Sequence, residues 1–435
     1  MATPEDEPGL TAAEVASLLG IKRQTVYAYV SRGVLHRRLS LDGRTSLFDR
    51  GEVEELRLGR RPEQEGEMRT ILATGLTRVA DEGLWIRGRD VVQLVEAGAG
   101  FLDLAELVWD GAADTPADGE LIGWPPIERT SDRLPPTLDT SDPASLLDQL
   151  QVLVAVAASA DPMRHDLSPR SVRAAGRRMI TAMASGLRHR SAGAAAPDPS
   201  LPVATALPAV LWYQLSPAEP DPPKLLALDA ALALLVDHGL ATSTLAARVA
   251  ASVRADPYAV VTSGLGTLGG PLHGRASSVV YDLYRVAERD GPAAAVGQLQ
   301  RRGLRVPGFG HTVYRSQDPR YGALMSRVVA GWADDPRLGV VFGVRDVVAQ
   351  RNAAVPNVDL ALGALTFLAD MPPNAGEAIF AVARTAGWLA HAIEEYDEKP
   401  FRFRTRAHYV GPHPGQADAH TASASPALRG GDDGT

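Results

Sequence analysis

From Lys224 to Glu395 the apolar residues return every three to four positions, and a two-residue alternation is almost absent. This periodicity restricts the second half of the chain to helices packed on helices. The first half is more mixed. Residues Gln64–Gly111 read as short strand and helix pieces, and Ala112–Ser145, rich in proline and acid, as loop. Leu146–Ala158 and Ser171–Leu187 are helical, with proline-rich connectors at Gly193–Pro202 and Ser216–Pro223. The small, polar run Pro412–Thr435 is expected to be disordered.

Composition excludes several kinds of chemistry. There is no cysteine, hence no disulfide, thiolate-bound metal or cysteine nucleophile. No H-x-x-x-H or H-E-x-x-H spacing occurs, so no zinc site is expected. The opening MATPEDEPGL lacks the apolar core of a signal peptide, and stretches such as Leu225–Val236 are too short to span a bilayer. A cytoplasmic protein without membrane contact is expected. The net charge of −8 argues against the whole chain being a nucleic-acid binder. Averaging hides a local contrast, because Lys22–Arg61 carries ten basic and five acidic residues, an excess of +5.

Four residues of the helical half stand where helices break. His238 follows the apolar helix Leu225–Val236 in Asp-His-Gly, and His273 lies in Gly270-Pro-Leu-His-Gly274. His311 ends Pro307-Gly-Phe-Gly-His311, a turn whose backbone N–H groups can face a phosphate or carbonyl. Asp359 closes Val355-Pro-Asn-Val-Asp359, just before an apolar run. Imidazoles in such turns can donate to a developing oxyanion or shuttle a proton, and a carboxylate can abstract one. Taken singly, a histidine at a helix end is more often a cap or a surface residue than a catalyst.

In order along the chain, GPLHG, VPGFGH-TVYR-SQDPR, VPNVD and FAVARTAGWLAHAIEE resemble the signature blocks of citrate synthases. Leu84-Trp-Ile-Arg-Gly-Arg-Asp90 with Leu104-Ala-Glu-Leu107 is similar to an earlier block of the same family, and together the likeness covers Arg69 to Gly411. The resemblance implies a mainly α fold with large and small helical domains over residues 63–412, the small one at about 275–365. It implies condensation of acetyl-CoA with oxaloacetate and water to give citrate and CoA, without a cofactor. Asp359 would then deprotonate the acetyl methyl group, His273 hold the enolate oxygen, and His311 polarise the ketone and protonate the alkoxide. His238, Arg320 and Arg384 would bind oxaloacetate, with Arg404 reaching in from the other subunit of a homodimer. Arg315 and the Val306, Pro307, Gly308 and Gly310 backbone would bind CoA. His391, on the same face as Arg384 and Trp388, reads as packing.

The pattern also departs from the family. Where relatives often read HELNAST, this chain has His238-Gly-Leu-Ala-Thr-Ser-Thr244; where they read GPLHGGANE, it has Gly270-Pro-Leu-His-Gly-Arg-Ala-Ser-Ser278. Two asparagines and two glutamates are lost beside two catalytic histidines, Ala241 can orient nothing, and Arg275 adds bulk and charge. Arg404-Thr-Arg406 replaces the usual Arg-Pro-Arg. These changes leave open a different acyl donor, such as the propionyl-CoA of 2-methylcitrate synthases, or reduced activity.

Residues 1–62 form a separate unit. Thr11-Ala-Ala-Glu14 has the form of a capping box before a short apolar helix, and Gly20 breaks that helix. Leu10–Val30 resembles the helix-turn-helix of MerR-type and excisionase-type proteins. Lys22–Tyr29 would be the recognition helix presenting Lys22, Arg23, Gln24 and Thr25 to the major groove. An alternating stretch with a turn at Asp42-Gly43 would form a wing carrying Arg37, Arg38 and Arg44 to phosphates, and a third helix spans Arg50–Leu56. The competing reading is a DNA-binding regulator whose synthase-like body senses a ligand without turnover.

Overall fold

The computed structural model describes residues 9–31, 35, 37–39, 45–50, 53, 56, 72–110, 124–125, 134, 146–188, 203–270, 273–351 and 354–403. The Asp42-Gly43 turn, Arg44, Arg404 and the tail 413–435 lie outside them, as does most of Ala112–Ser145. The chain divides into two compact units, Met1–Ala73 and Thr74–Thr435.

In the first unit Thr11 caps helix α1 (Ala12–Leu19). Its side chain accepts the Glu14 N–H, and the Glu14 carboxylate takes the Thr11 N–H at 2.7 Å, so the capping box forms. Gly20 ends the helix at φ +65°, and α2 follows at Arg23–Ser31, one residue later than the expected Lys22. The alternating stretch folds as β2 (Arg37–Leu39) and β3 (Ser46–Phe48), with β1 (Leu10–Thr11) on the far edge of β3, all antiparallel. Val15, Val26, Leu35, Phe48 and Val53 make its core. Arg50, Val53 and Leu56, the described positions of the expected third helix, are helical.

The second unit opens with the antiparallel strands β4 (Thr77–Ala80), β5 (Gly83–Ile86) and β6 (Arg89–Asp90). Helices follow: α3 (Val91–Glu96), α4 (Phe101–Asp110), α5 (Leu146–Ala160), α6 (Pro169–Gly186), α7 (Val203–Leu215), α8 (Pro222–Leu235) and α9 (Thr242–Ser252). They continue as α10 (Pro257–Leu268), α11 (Ala276–Asp290), α12 (Pro292–Arg301), α13 (Pro319–Gly331), α14 (Arg337–Arg351), α15 (Val358–Leu368) and α16 (Ala375–Tyr396). None of the described helices is long and apolar enough to cross a membrane.

The last helix organises this unit. Eighteen of the 22 residues of α16 are buried, and it packs against α4, α5, α6, α8, α9, α10, α11 and α15. A helix buried on every side must be apolar or small nearly throughout, as Ala378, Ile379, Val382, Trp388 and Leu389 are. Each large side chain so buried contributes about 1.5–3 kcal/mol. One close approach depends on glycine. A Cβ at Gly387 would lie 2.4 Å from the Val236 carbonyl oxygen and 2.7 Å from Asp237 Oδ1, so the end of α8 could not rest on α16 otherwise. Polar residues on so buried a helix demand partners, and Arg384, His391 and Glu395 are where they are found.

Candidate active site

Each expected site residue stands in a turn, in a loop or in the first turn of a helix. The turn after α8 carries His238, with Gly239 at φ +65°, and the turn between α10 and α11 carries His273. The loop between α12 and α13 carries His311, and Asp359 lies in the first turn of α15, capped by Asn357, whose side chain accepts the Asp359 N–H at 3.0 Å.

The last two segments are stitched together. Gly310 N–H donates to Val355 O at 2.7 Å, Asn357 N–H to Gly308 O at 2.9 Å, and Asn357 Nδ2 to Gly310 O at 2.9 Å. The Gly310 N–H, expected to face a ligand, is therefore spent inside the protein. Gly308 sits at φ +80° with Leu360 2.8 Å from where its Cβ would be, so no other residue fits without a shift. Farther along, the backbone N–H of Arg315 donates to Asp81 Oδ1 at 2.6 Å, which pins the loop to the turn between β4 and β5. The Arg315 side chain itself is exposed.

His238, His311 and Tyr314 form an aromatic cluster. His238 and His311 meet edge to face at 5.2 Å, His311 and Tyr314 lie 4.6 Å apart, and His238 Nε2 is 3.0 Å from the Tyr314 hydroxyl. His311 Nδ1 accepts the backbone N–H groups of Val313 (3.0 Å) and Tyr314 (3.2 Å). Its lone pair is thereby fixed on Nδ1, and the neutral ring carries its proton on Nε2. Burial and the nearby Arg320 charge lower the His311 pKa, and burial with Arg320 and Arg384 holds His238 well below the usual range.

His273 is oriented from behind. Its Nε2 lies 2.8 Å from Ser243 Oγ, which accepts from Trp388 Nε1 at 3.3 Å. Trp388 can only donate to that oxygen, so His273 Nε2 is the acceptor in reach of the hydroxyl proton; with Nε2 accepting, the neutral His273 keeps its own proton on Nδ1. Burial, and then Arg384, lower its pKa.

Two buried arginines supply the positive charge. Arg320 makes a two-pronged bond to Asp318 (Nε–Oδ1 3.0 Å, Nη2–Oδ2 2.9 Å), and Asp318 also accepts the Val358 N–H at 3.0 Å. Arg384 donates Nε to Leu235 O at 2.9 Å, with its guanidinium 4.5 Å from the Phe380 ring centre. Among the described residues no carboxylate lies within ion-pair distance of Arg384. Burial raises the Asp359 pKa to about 6, against the opposing pull of Arg320 and Arg384. The charges thus act on one another across one site.

Other expected residues fall elsewhere. The side chains of Lys22, Arg23, Gln24 and Arg37 are exposed, Thr25 is half-buried, and Arg38 lies on β2. Arg275 is exposed, and Ala241 leaves α9 without a side-chain cap. Ser278 Oγ is buried and makes no hydrogen bond. His391 is buried as expected, yet it also joins polar groups, with Nδ1 3.0 Å from Arg248 Nη1 and Nε2 3.4 Å from Asp237 Oδ2. Sequence reasoning passed over Ser243, Tyr314, Asp318 and Asp237. Three of them lie within five residues of an expected site histidine, which is the signal that could have found them; Asp318 is two residues before Arg320. Among the described residues no group of three His, Asp or Glu could hold a metal ion.

Comparison with known proteins gives independent evidence. The family description "Citrate synthase, C-terminal domain" matches residues 68–406, and "Helix-turn-helix domain" matches residues 10–61. A citrate synthase of Haloferax volcanii is 31% identical over 367 residues, covering 77% of this chain and 93% of that protein. A 2-methylcitrate synthase of Corynebacterium glutamicum is 30% identical over 170 residues, covering 38% of this chain and 45% of that one. The crystal structure of citrate synthase from Thermotoga maritima superposes with a TM-score of 0.65 at 26% identity, covering 81% of this chain and 97% of that chain.

Proposed function

The chain belongs to the citrate synthase family, enzymes that condense acetyl-CoA with oxaloacetate, and we propose that Asp359, His273 and His311 divide that reaction among them. The Asp359 carboxylate takes a proton from the acetyl methyl group, and its environment makes it more basic than an ordinary carboxylate. The C–H electron pair becomes an enolate, whose oxygen accepts a hydrogen bond from His273 Nδ1. The enolate carbon attacks the ketone carbon of oxaloacetate. The carbonyl pair moves onto oxygen, where His311 Nε2–H donates to the developing alkoxide and supplies its proton. Water then cleaves the thioester, giving citrate and free CoA, with no cofactor beyond the substrates. Arg320 and Arg384 hold the carboxylates of oxaloacetate, His238 bonds its oxygen atoms, and Arg404 of a second copy completes the set. The Val306–Gly310 segment and Arg315 lie along the CoA.

The observation that carries the proposal is the pair of fixed tautomers. His273 and His311 are each held neutral with a proton on the nitrogen left free, as two donors to developing oxyanions require. Release of CoA thiol from purified protein tests it, with acetyl-CoA and oxaloacetate together and each alone. Release that needs both is expected. Silence, with oxaloacetate still bound calorimetrically, would favour the ligand-sensing regulator instead. Running propionyl-CoA in parallel tests the 2-methylcitrate synthase reading, which Ser277 and Ser278, shorter than the family's usual residues there, leave open.

Homodimer formation is supported by the apolar groove of α9 and α10, lined by Leu245, Ala246, Val249 and Val253, the two valines 42% and 53% exposed. Sedimentation at twice the chain mass is the expected result. The N-terminal unit is proposed to bind DNA through the exposed Lys22, Arg23 and Gln24. Retention of labelled DNA that weakens with salt and is lost on Arg23→Ala would support this reading.

A further inference from the structure

Behind Arg384 lies a run of buried polar groups that the chemistry above does not use. Arg248, on α9, is fully buried; its Nε donates to Glu395 Oε2 at 2.9 Å, and its Nη1 to Glu394 Oε2 at 2.5 Å and to His391 Nδ1 at 3.0 Å. A guanidinium has nothing to accept with, so His391 Nδ1 holds a lone pair and the neutral ring's proton sits on Nε2, 3.4 Å from Asp237 Oδ2. Asp237 is fully buried, takes the Gly239 N–H at 3.0 Å, and shares its field with Arg384. At the far end Arg402 grips Glu395 through Nε (2.7 Å) and Nη2 (2.5 Å). Arg402, Arg248 and Arg384 balance Glu394, Glu395 and Asp237, with His391 as the neutral link.

We propose that Asp237 and His391 are positioning residues for Arg384, aiming its guanidinium at a carboxylate of the 2-oxo acid. This rests on the assignment of Arg384 as a substrate-binding arginine. Leu235, which accepts from Arg384 Nε, and Asp237 belong to one turn at the end of α8, and the same turn carries His238. That turn is seated on α16 at Gly387, between Arg384 and His391. The His391–Asp237 contact therefore registers the end of α8 against α16, and with it both the acceptor and the countercharge of Arg384. Without the Asp237 charge only one hydrogen bond and a ring face orient the guanidinium.

The test is steady-state kinetics and oxaloacetate calorimetry on the full-length protein. For Asp237→Asn, KM for oxaloacetate should rise by about tenfold while kcat and KM for acetyl-CoA change little, since an interaction made equally in the ground and transition states is lost. His391→Leu should give the same split, and His391→Gln, which can still donate to Asp237, should restore most of it. Should Asp237→Asn fail to fold, the His391 pair decides. Arg384→Gln should remove oxaloacetate binding; normal binding by that variant would overturn the underlying assignment and the proposal together. Loss of binding in Arg384→Gln, with an unchanged oxaloacetate KM in both Asp237→Asn and His391→Leu, would overturn the proposal alone. Falls in both kcat and melting temperature, without a KM change, would assign these residues to folding and also overturn it.

Discussion

Arg320 and Arg384 are both buried cations in one site, yet the regions that hold them are built differently. Arg320 is served by its own loop: Asp318, two residues earlier, grips it with both oxygens and caps α13 with the same carboxylate. Arg384 sits mid-helix and depends on α8 for its acceptor and its countercharge. Burial pulls both pKa values down. At Arg320 the Asp318 carboxylate more than offsets this, whereas Arg384 falls to about 10, with Asp237 supporting it and Arg320 opposing it. The contrast teaches that a locally paired arginine brings its countercharge with it before any substrate arrives. An arginine whose countercharge stands on another helix, beyond ion-pair distance, keeps its place open for an anionic substrate.

The largest expected effect breaks the local pair. Asp318→Ala leaves Arg320 buried without its partner and should cost about 3–5 kcal/mol in denaturant unfolding, with loss of turnover. If that loss is no larger than the loss for Asp237→Asn, the contrast between the two regions fails. Next, Asp359→Asn should reduce CoA release by at least about a thousandfold while oxaloacetate still binds, because it removes the base and leaves both arginines in place. A companion effect follows from the sign of the Asp359 shift. Its folded pKa is raised, so the folded state is favoured when the group is protonated, and that advantage disappears as pH rises through about 6. Asp359→Asn should thus be the more stable protein at pH 8, by about 1–3 kcal/mol, and should lose the advantage by about pH 4. Equal melting temperatures at pH 8 would mean that the carboxyl is better solvated than its surroundings indicate.

A smaller effect concerns rate. The pH profile of kcat/KM should fall on its acid side as Asp359 is protonated, with a midpoint of about 6. Arg384→Lys sharpens the comparison: it keeps a positive charge acting on Asp359 and should leave that midpoint nearly in place. The smallest effect lies at the start of α9. Ala241 provides no cap, and Ala241→Asn should add about 0.5–1 kcal/mol of stability, read as a higher denaturant midpoint.

Much of the site was legible where residues close in sequence act together. His311 with Arg320, and Asp359 after its capping Asn357, belong to short segments whose turns and helix starts are set by local glycine, proline and asparagine. The capping box at Thr11 and Glu14 formed for the same reason. What stayed hidden depends on distant partners. Ser243 matters because Trp388 and His273 meet at its hydroxyl, and His391 shows its polar role only when Arg248 and Asp237 flank its two nitrogens. The Gly310 N–H looked free for a ligand because nothing near it in sequence identifies Val355 as its acceptor.

The sequence by itself determined the helical period, the helix breaks in which each histidine and the aspartate stand, and the capped unit at the N-terminus. These are local matters, governed by backbone conformation and side-chain spacing within a few residues. Only the tertiary structure decided which nitrogen of each imidazole keeps its proton, which arginine is fully paired, and which acid has become basic. Those properties follow from hydrogen bonds and electrostatic fields that depend on distance in space and not along the chain, between residues that the packing around α16 brings together.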